Sequence, residues 1–473
     1  MRRILSGLLA LLCCLTVTCS ALAETAFLPD IEGWVLDDIP LELTLSADVT
    51  AYGPFDEERL PQLTNLIKHL ALRVSWQPLI DETQSFVSLL ADGEEALSFG
   101  LQKSALGGML QFSFLPDVTY SGVDPLAALL GAPSDPFSIL GLNGTEAAWV
   151  TEGYALLTGL ETALAPYLSE EANVKTNISD MGTARLKRDY TVSKDDAPAL
   201  TALLLSVCPE GRLRETISGL VFSGKQTLRV YLDANHVPLR MEWNGHCGLN
   251  EEHQRNVKLT WRLRRDDTAY RDEITLTAPA LKGTDNHKLT WTCSVLPNKT
   301  GQMVLTCSLD YARTANKEKT TLTGSCKLTA IPEENGTRVT GEASLSRQLP
   351  DQESATGYSF TPSLLFAGDA NLPTIDGTLI VAGLKDKKVL SQATLNVSLH
   401  RTGYAGWQMR QETVDLNLLD TATIQTIRQQ VTGALSTALI RRLLLLPLED
   451  LDYLLKDLPE ESVQAIINAA QSH

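Results

Sequence analysis

The strongest constraint on this chain is strict two-residue alternation through its middle. TLRVYLDANHVPLRMEWNG (Thr227 to Gly245) sets Leu228, Val230 and Leu232 on one parity, turns through Asp233 to His236, and resumes with Leu239, Met241 and Trp243. VKLTWRLRRD keeps Leu259, Trp261 and Leu263 on one side and Lys258, Arg262 and Arg264 on the other. KLTWTCSV and MVLTCSLDY repeat the pattern with Leu289, Trp291, Cys293 and Val295, then Met303, Leu305, Cys307 and Leu309. TLTGSCKLTA adds Leu322, Cys326 and Leu328. Successive side chains of a strand point to opposite faces, so these segments predict antiparallel sheet with one apolar and one wet face. The connections are short, which makes neighbouring strands pair as a meander. Later hairpins are expected at Gly377 to Leu399, turned by Lys385-Asp386-Lys387, and at Trp407 to Leu418.

The flanks differ from the middle. LELTLSADVTAY (Leu41 to Tyr52) alternates as a strand, and FDEERLPQLTNLIKHL has the spacing of an amphipathic helix with its acids at the favourable amino end. ALRVSWQ reads as a strand and SFVSLLADGEEALSFGLQK as a hairpin whose Asp92-Gly93 turn accepts left-handed backbone. GGMLQFSFLPDVTYSG reads as one further strand, and Asp124 to Leu130 and Glu146 to Leu168 as helices. From Thr421 to Leu446 the period is helical, with Ile424, Ile427, Val431, Leu435, Leu439 and Leu443 on one face. Pro447 breaks that helix, and shorter ones follow on either side of Pro459. The run LLLLPL is too short to span a bilayer.

Together these elements predict the α+β class: a large antiparallel, meander-type β-sheet with helices packed on one face and a helical carboxyl-terminal segment. The expected organisation is a signal peptide over 1–23, an α+β unit over 24–170, the antiparallel sheet over 171–420, and a helical segment over 421–473 packing on the sheet. In architecture alone, this arrangement resembles the carriers of bacterial lipoproteins.

The signal peptide rests on Arg2-Arg3, the apolar run from Ile4 to Val17, and the small residues of Ala21-Leu22-Ala23 before Glu24. It implies an extracytoplasmic protein, secreted or held in a bacterial envelope, with no membrane span once the leader is removed. Cys208, Cys247, Cys293, Cys307 and Cys326 follow that leader, an odd number that forbids complete internal pairing.

The chain of 473 residues is 44% hydrophobic and 21% charged, which excludes a disordered tail and a collagen-like fibre. Its 57 acidic against 40 basic residues, a formal charge of −17, make nucleic acid a poor partner, since binding phosphate needs a basic footprint. No nucleophile elbow, H-E-x-x-H, Walker A loop, C-x-x-C or calcium-loop spacing occurs.

Three weaker constellations remain. His246, Cys247, Glu251 and His253 share one stretch and are of the types that hold Zn or Cu, but their spacing matches no established pattern. The stretch is read as a polar connection and no metal is assigned. The basic parity Lys258, Arg262 and Arg264, with His253 near it, is read as a solvated face paired with acidic strands such as Asp272-Glu273. Anionic glycan or lipid head groups are the rarer reading of it. Cys293, Cys307 and Cys326 share the apolar parity of three successive strands. A five-residue Asn298–Gln302 turn would set Cys293 beside Cys307, and a two-residue Asn316-Lys317 turn would set Cys307 opposite Cys326. All three are expected to be buried, reduced and inert.

The sequence therefore assigns no catalytic, cofactor-binding or metal residues and no cofactor. The expected function is a non-catalytic exported protein that holds a lipid-like ligand or an envelope protein partner through its sheet. The rival is an extracytoplasmic hydrolase of cell-wall or glycan substrates using scattered carboxylates.

Overall fold

The structure is a computed structural model that describes residues 40–52, 67–79, 82–104, 107–130, 163–208, 217–248, 254–266, 269–350, 352–369, 371–403 and 410–443, with residues 64, 159 and 214 between them. The leader, most of the helix expected over 55–70 and all but the end of the one over 146–168, and the helices beyond Pro447 lie outside the described residues.

Alternation builds strand after strand. The first group is β1 (Leu41–Tyr52), β2 (Leu70–Pro78), β3 (Glu82–Ala91), β4 (Glu94–Ser104), β5 (Gly107–Phe112) and β6 (Leu115–Gly122). The second begins with β7 (Leu168–Asn177), β8 (Thr183–Val192), β9 (Val221–Leu232), β10 (Pro238–Gly248), β11 (Arg255–Asp266) and β12 (Ala269–Pro279). It continues with β13 (Asn286–Pro297), β14 (Met303–Ala315), β15 (Glu318–Glu333) and β16 (Gly336–Gln348). It ends with β17 (Thr356–Ala367), β18 (Thr374–Lys385), β19 (Lys388–Arg401) and the short β20 (Glu412–Asp415). All 20 join one sheet.

Each strand from β7 to β19 pairs antiparallel with the next, and so does each from β1 to β6. The two meanders are joined where β1 lies between β2 and β19, with Leu43 opposite both Val74 and Leu399. At one edge β20 runs parallel to β6, Val414 facing Tyr120. Among the described residues no pairing connects β7 with β20, so the described ladder is an open path.

Three hairpins turn through two residues that both have positive φ: Asp92 and Gly93 at 52° and 84°, Asn316 and Lys317 at 53° and 72°, Asp386 and Lys387 at 49° and 66°. Such turns match the right-handed twist of the strands they join. The connection from Asn298 to Gln302 is the expected five-residue turn: the Asn298 carboxamide oxygen accepts the backbone N–H groups of Thr300 and Gln302.

Helices are few. α1 (Pro125–Leu130), α2 (Leu200–Val207) and α3 (Thr421–Leu443) sit at the two ends of the path. Val431 and Ile427 of α3 meet Leu126 and Leu129 of α1 over Leu101, Leu110, Phe112 and Tyr120 of β4–β6. Leu200 of α2 packs near Phe222 and Val230 of β9. Of the face expected on α3, Ile427 and Val431 dock, and Val431 is fully buried.

This corrects the α+β expectation. The described residues form mostly one antiparallel sheet with few helices, and no described helix covers the apolar face of its middle. Among the described residues the core there is made by strands alone: Val295, Leu305, Cys307, Leu328, Val339, Leu364 and Phe366, with Tyr270, Trp291 and Ile375 against them. The reason is one of area, because α1 has six residues, α2 eight, and α3 spends its apolar stripe on β4–β6. Val295, Leu305 and Val339 are nonetheless only 1% exposed. Lateral contacts between neighbours on successive strands bury these side chains.

The ladder between β16 and β17 is interrupted without a change of register. Their ladder runs from Thr340↔Ser363 to Ala343↔Phe360 and skips the positions between, where Pro362 has no N–H to donate. Gly341, at φ 149°, lies so near β15 that a Cβ would stand 2.0 Å from the Lys327 carbonyl oxygen.

Two local readings also change. The segment expected as one strand over 107–122 is a hairpin, β5 and β6, broken at Ser113-Phe114. In place of a hairpin over 407–418 there is the short parallel β20, residues 404–409 lying outside the described ones.

Candidate functional site on the apolar face

The apolar parity of the middle strands lines up laterally across the sheet. One row runs Leu263, Asp272, Cys293, Cys307, Cys326, Ala343, Phe360 and Val381, each opposite the next. The row beside it runs Trp261, Ile274, Trp291 and Leu309, and the row on its other side Tyr270, Val295, Leu305 and Leu328. Val295, Leu305 and Leu328 are buried, whereas Leu259, Trp261, Leu289 and Trp291 keep part of their surface accessible. The face is a deep apolar floor with a half-open aromatic margin at β11–β13.

Asp272 interrupts that face. It is 8% exposed and is the one acid among the described buried residues. Trp261 donates its indole N–H to the carboxylate at 2.5 Å, and Trp291, diagonally placed on the next strand, hydrogen-bonds it as well. Burial pushes the carboxyl up to about 6; the two indole hydrogen bonds restrain the rise and the nearby Glu273 charge adds to it. The sequence reading placed Asp272 with Glu273 opposite the basic parity. Alternation separates the two: Glu273 faces the wet side and Asp272 the apolar one. An acid sharing the parity of Tyr270, Ile274 and Leu276 is the signal that could have found it.

The wet face is a lattice of ion pairs. Arg262 reaches Glu273 at 2.9 Å and Arg271 reaches the same carboxylate at 3.3 Å. Asp189 accepts from Arg229 at 2.7 Å and from Lys187 at 3.0 Å, and Glu242 pairs with Arg240. A concavity of about 560 Å³ lies over this face, lined by Asp189, Thr227, Arg229, Glu242, Asn244 and Lys258. Lys258, Arg262 and Arg264 do share one parity, and Arg262 has the acidic partner across β11–β12 that the sequence reading expected.

The candidate metal ligands do not come together among the described residues. His246 and Cys247 are consecutive on β10 and so point to opposite faces, while Glu251 and His253 lie outside the described residues. Burial pushes the Cys247 thiol up to about 11, with Arg255 opposing the rise. It is half-buried, and its ordinary role is that of a small hydrophobe packed beside Phe222 and Trp243.

The cysteine row has the expected register: Cys293↔Cys307 and Cys307↔Cys326. Cys293 and Cys307 are buried, at 8% and 7% exposure, and their sulfurs stand 2.8 Å apart. Cys326 is only half-buried, unlike the full burial expected.

No family model matches the sequence, and no curated protein matches it significantly. Among solved structures, outer-membrane-expressed OmpT of Vibrio cholerae overlaps with a TM-score of 0.26 at 6% identity, covering 77% of this chain and 96% of that one. In-vitro folded OmpT, an outer membrane protein of Vibrio cholerae, overlaps with a TM-score of 0.24 at 4% identity, with the same coverage. Values this low fall short of a shared fold. No helix among the described residues is long and apolar enough to cross a membrane, which leaves strands aside.

Proposed function

We propose that this chain is an exported envelope or secreted protein that binds a lipid-like ligand, without catalysis, on the apolar face of its sheet. One observation carries the reading: an apolar face runs across β11–β19 with no described helix packed on it, and its margin at Trp261 and Trp291 is accessible. The accessible part is that margin, Leu259, Trp261, Leu289 and Trp291, and partly open aromatic surface beside a buried apolar floor suits an apolar ligand. Export is supported by Arg2-Arg3, the apolar run and Ala21-Leu22-Ala23. The hydrolase alternative needs two convergent carboxylates. None of the residues beside Asp272 in the register of its face is an acid, which weighs against it.

The test is organic extraction of natively purified protein followed by mass spectrometry, together with displacement of a bound anilinonaphthalene dye by a long-chain fatty acid. Co-purifying lipid and dye displacement are expected, and Trp261→Ala with Trp291→Ala should weaken the dye signal. Absence of both lipid and displaceable dye would overturn the reading.

A further inference from the structure

We propose that Cys326, Cys307 and Cys293 form a thiol–disulfide relay across three strands, which carries an oxidising equivalent from the half-buried Cys326 to a buried Cys293–Cys307 disulfide. The geometry is that of consecutive register positions: Cys307 is flanked on one side by Cys293 and on the other by Cys326. The 2.8 Å separation of the Cys293 and Cys307 sulfurs is far inside ordinary non-bonded contact, and a disulfide needs about 2.05 Å. Cβ atoms directly opposite on antiparallel strands are about 4.5–5.5 Å apart, so closing the bond asks for only a small movement toward the disulfide range.

Exchange proceeds by thiolate attack on a disulfide sulfur, with the departing sulfur opposite the attacking one. A lateral row of three cysteines supplies that alignment at its central member. With an external disulfide as oxidant, the Cys326 thiolate attacks one of its sulfurs, forming a mixed disulfide and releasing one external thiolate. Cys307 then attacks the Cys326 sulfur, forming Cys307–Cys326 and releasing the second external thiolate. Cys293 next attacks the Cys307 sulfur, forming Cys293–Cys307 and returning Cys326 as thiolate. In sum, two protein thiols are oxidised to one disulfide and the external disulfide is reduced to two thiols. Exposure sets the direction, since a bulky oxidant reaches Cys326 before Cys293 or Cys307.

The experiment is oxidation of the purified full chain with oxidised glutathione, followed by non-reducing peptide mapping. Wild type should end with Cys293 linked to Cys307. Cys293→Ser should divert the link to Cys307–Cys326, and Cys307→Ser should leave glutathione on Cys326 with no internal link. Cys326→Ser should reach the wild-type product about tenfold more slowly or worse. Circular dichroism of each variant establishes that the sheet is retained. A wild type without the Cys293–Cys307 link, or a Cys326→Ser variant oxidised at the wild-type rate, would overturn the relay.

Discussion

Trp261 Nε1 lies 2.5 Å from Oδ1 of Asp272, so an indole from β11 holds a carboxyl that β12 turns into the apolar side of the sheet. The relationship ties two strands together through one buried acid, and it makes stability depend on the protonation of that acid.

The folded protein holds the Asp272 proton to about 6, against an ordinary value of 3.8, because burial disfavours the anion. Between those values the folded state binds more protons than the unfolded one, so stability falls as pH rises from about 4 to about 6. The loss is about 3 kcal/mol and persists at higher pH. Asp272→Asn removes this titration. Urea melts at pH 4.5 and 7.5 should show the variant gaining on wild type as pH rises; parallel curves would refute the assignment.

Asp285 has the opposite sign. Burial alone would raise its pKa, but hydrogen bonds from Arg313 at 3.0 Å and Arg255 at 2.5 Å, with His287 nearby, hold it well below the usual carboxylate range. Its contribution is complete above the ordinary carboxylate value and is lost as pH falls below it. Asp285→Asn should cost about 2 kcal/mol at pH 7 and progressively less toward pH 2, read from thermal melts across that range.

Lys317 occupies left-handed backbone at φ 72° in the β14–β15 turn, a region where a side chain costs about 1 kcal/mol and glycine costs nothing sterically. Asn316 beside it is held by Thr284, which takes its backbone N–H and donates to its carboxamide. Lys317→Gly should raise the denaturation midpoint in urea, by roughly 0.5–1 kcal/mol of stability. A lowered midpoint would mean that the lysine side chain makes a compensating contact.

Leu305 is 1% exposed between Val295 and Leu328, so Leu305→Ala should cost about 3 kcal/mol through lost transfer energy and the cavity left behind. Thr306, its exposed neighbour on the wet face, should tolerate alanine within about 0.5 kcal/mol. Equal costs at the two positions would contradict the assignment of faces.

Much of the middle was legible because the information is local. The parity of Leu305, Cys307 and Leu309 assigns a face without reference to any other strand, and a two-residue turn at Asn316-Lys317 forces Cys307 opposite Cys326. The 23-residue α3 and its docking face follow from helical period in the same way. The site was less legible. Asp272 was visible as an acid at an apolar parity, but the two indoles that hold it come from the strands on either side of its own.

What only the tertiary structure decided is partner choice between distant segments. Nothing in LELTLSADVTAY says that β1 closes a gap between β19 and β2, because any strand of suitable alternation offers the same backbone donors and acceptors. The same holds for the parallel match of β20 to β6. Local period likewise shows that helices exist but not where they dock. Their apolar stripes are satisfied equally well at the ends of the sheet as over its face, and with α1, α2 and α3 at the ends, the described core of the middle is strand on strand.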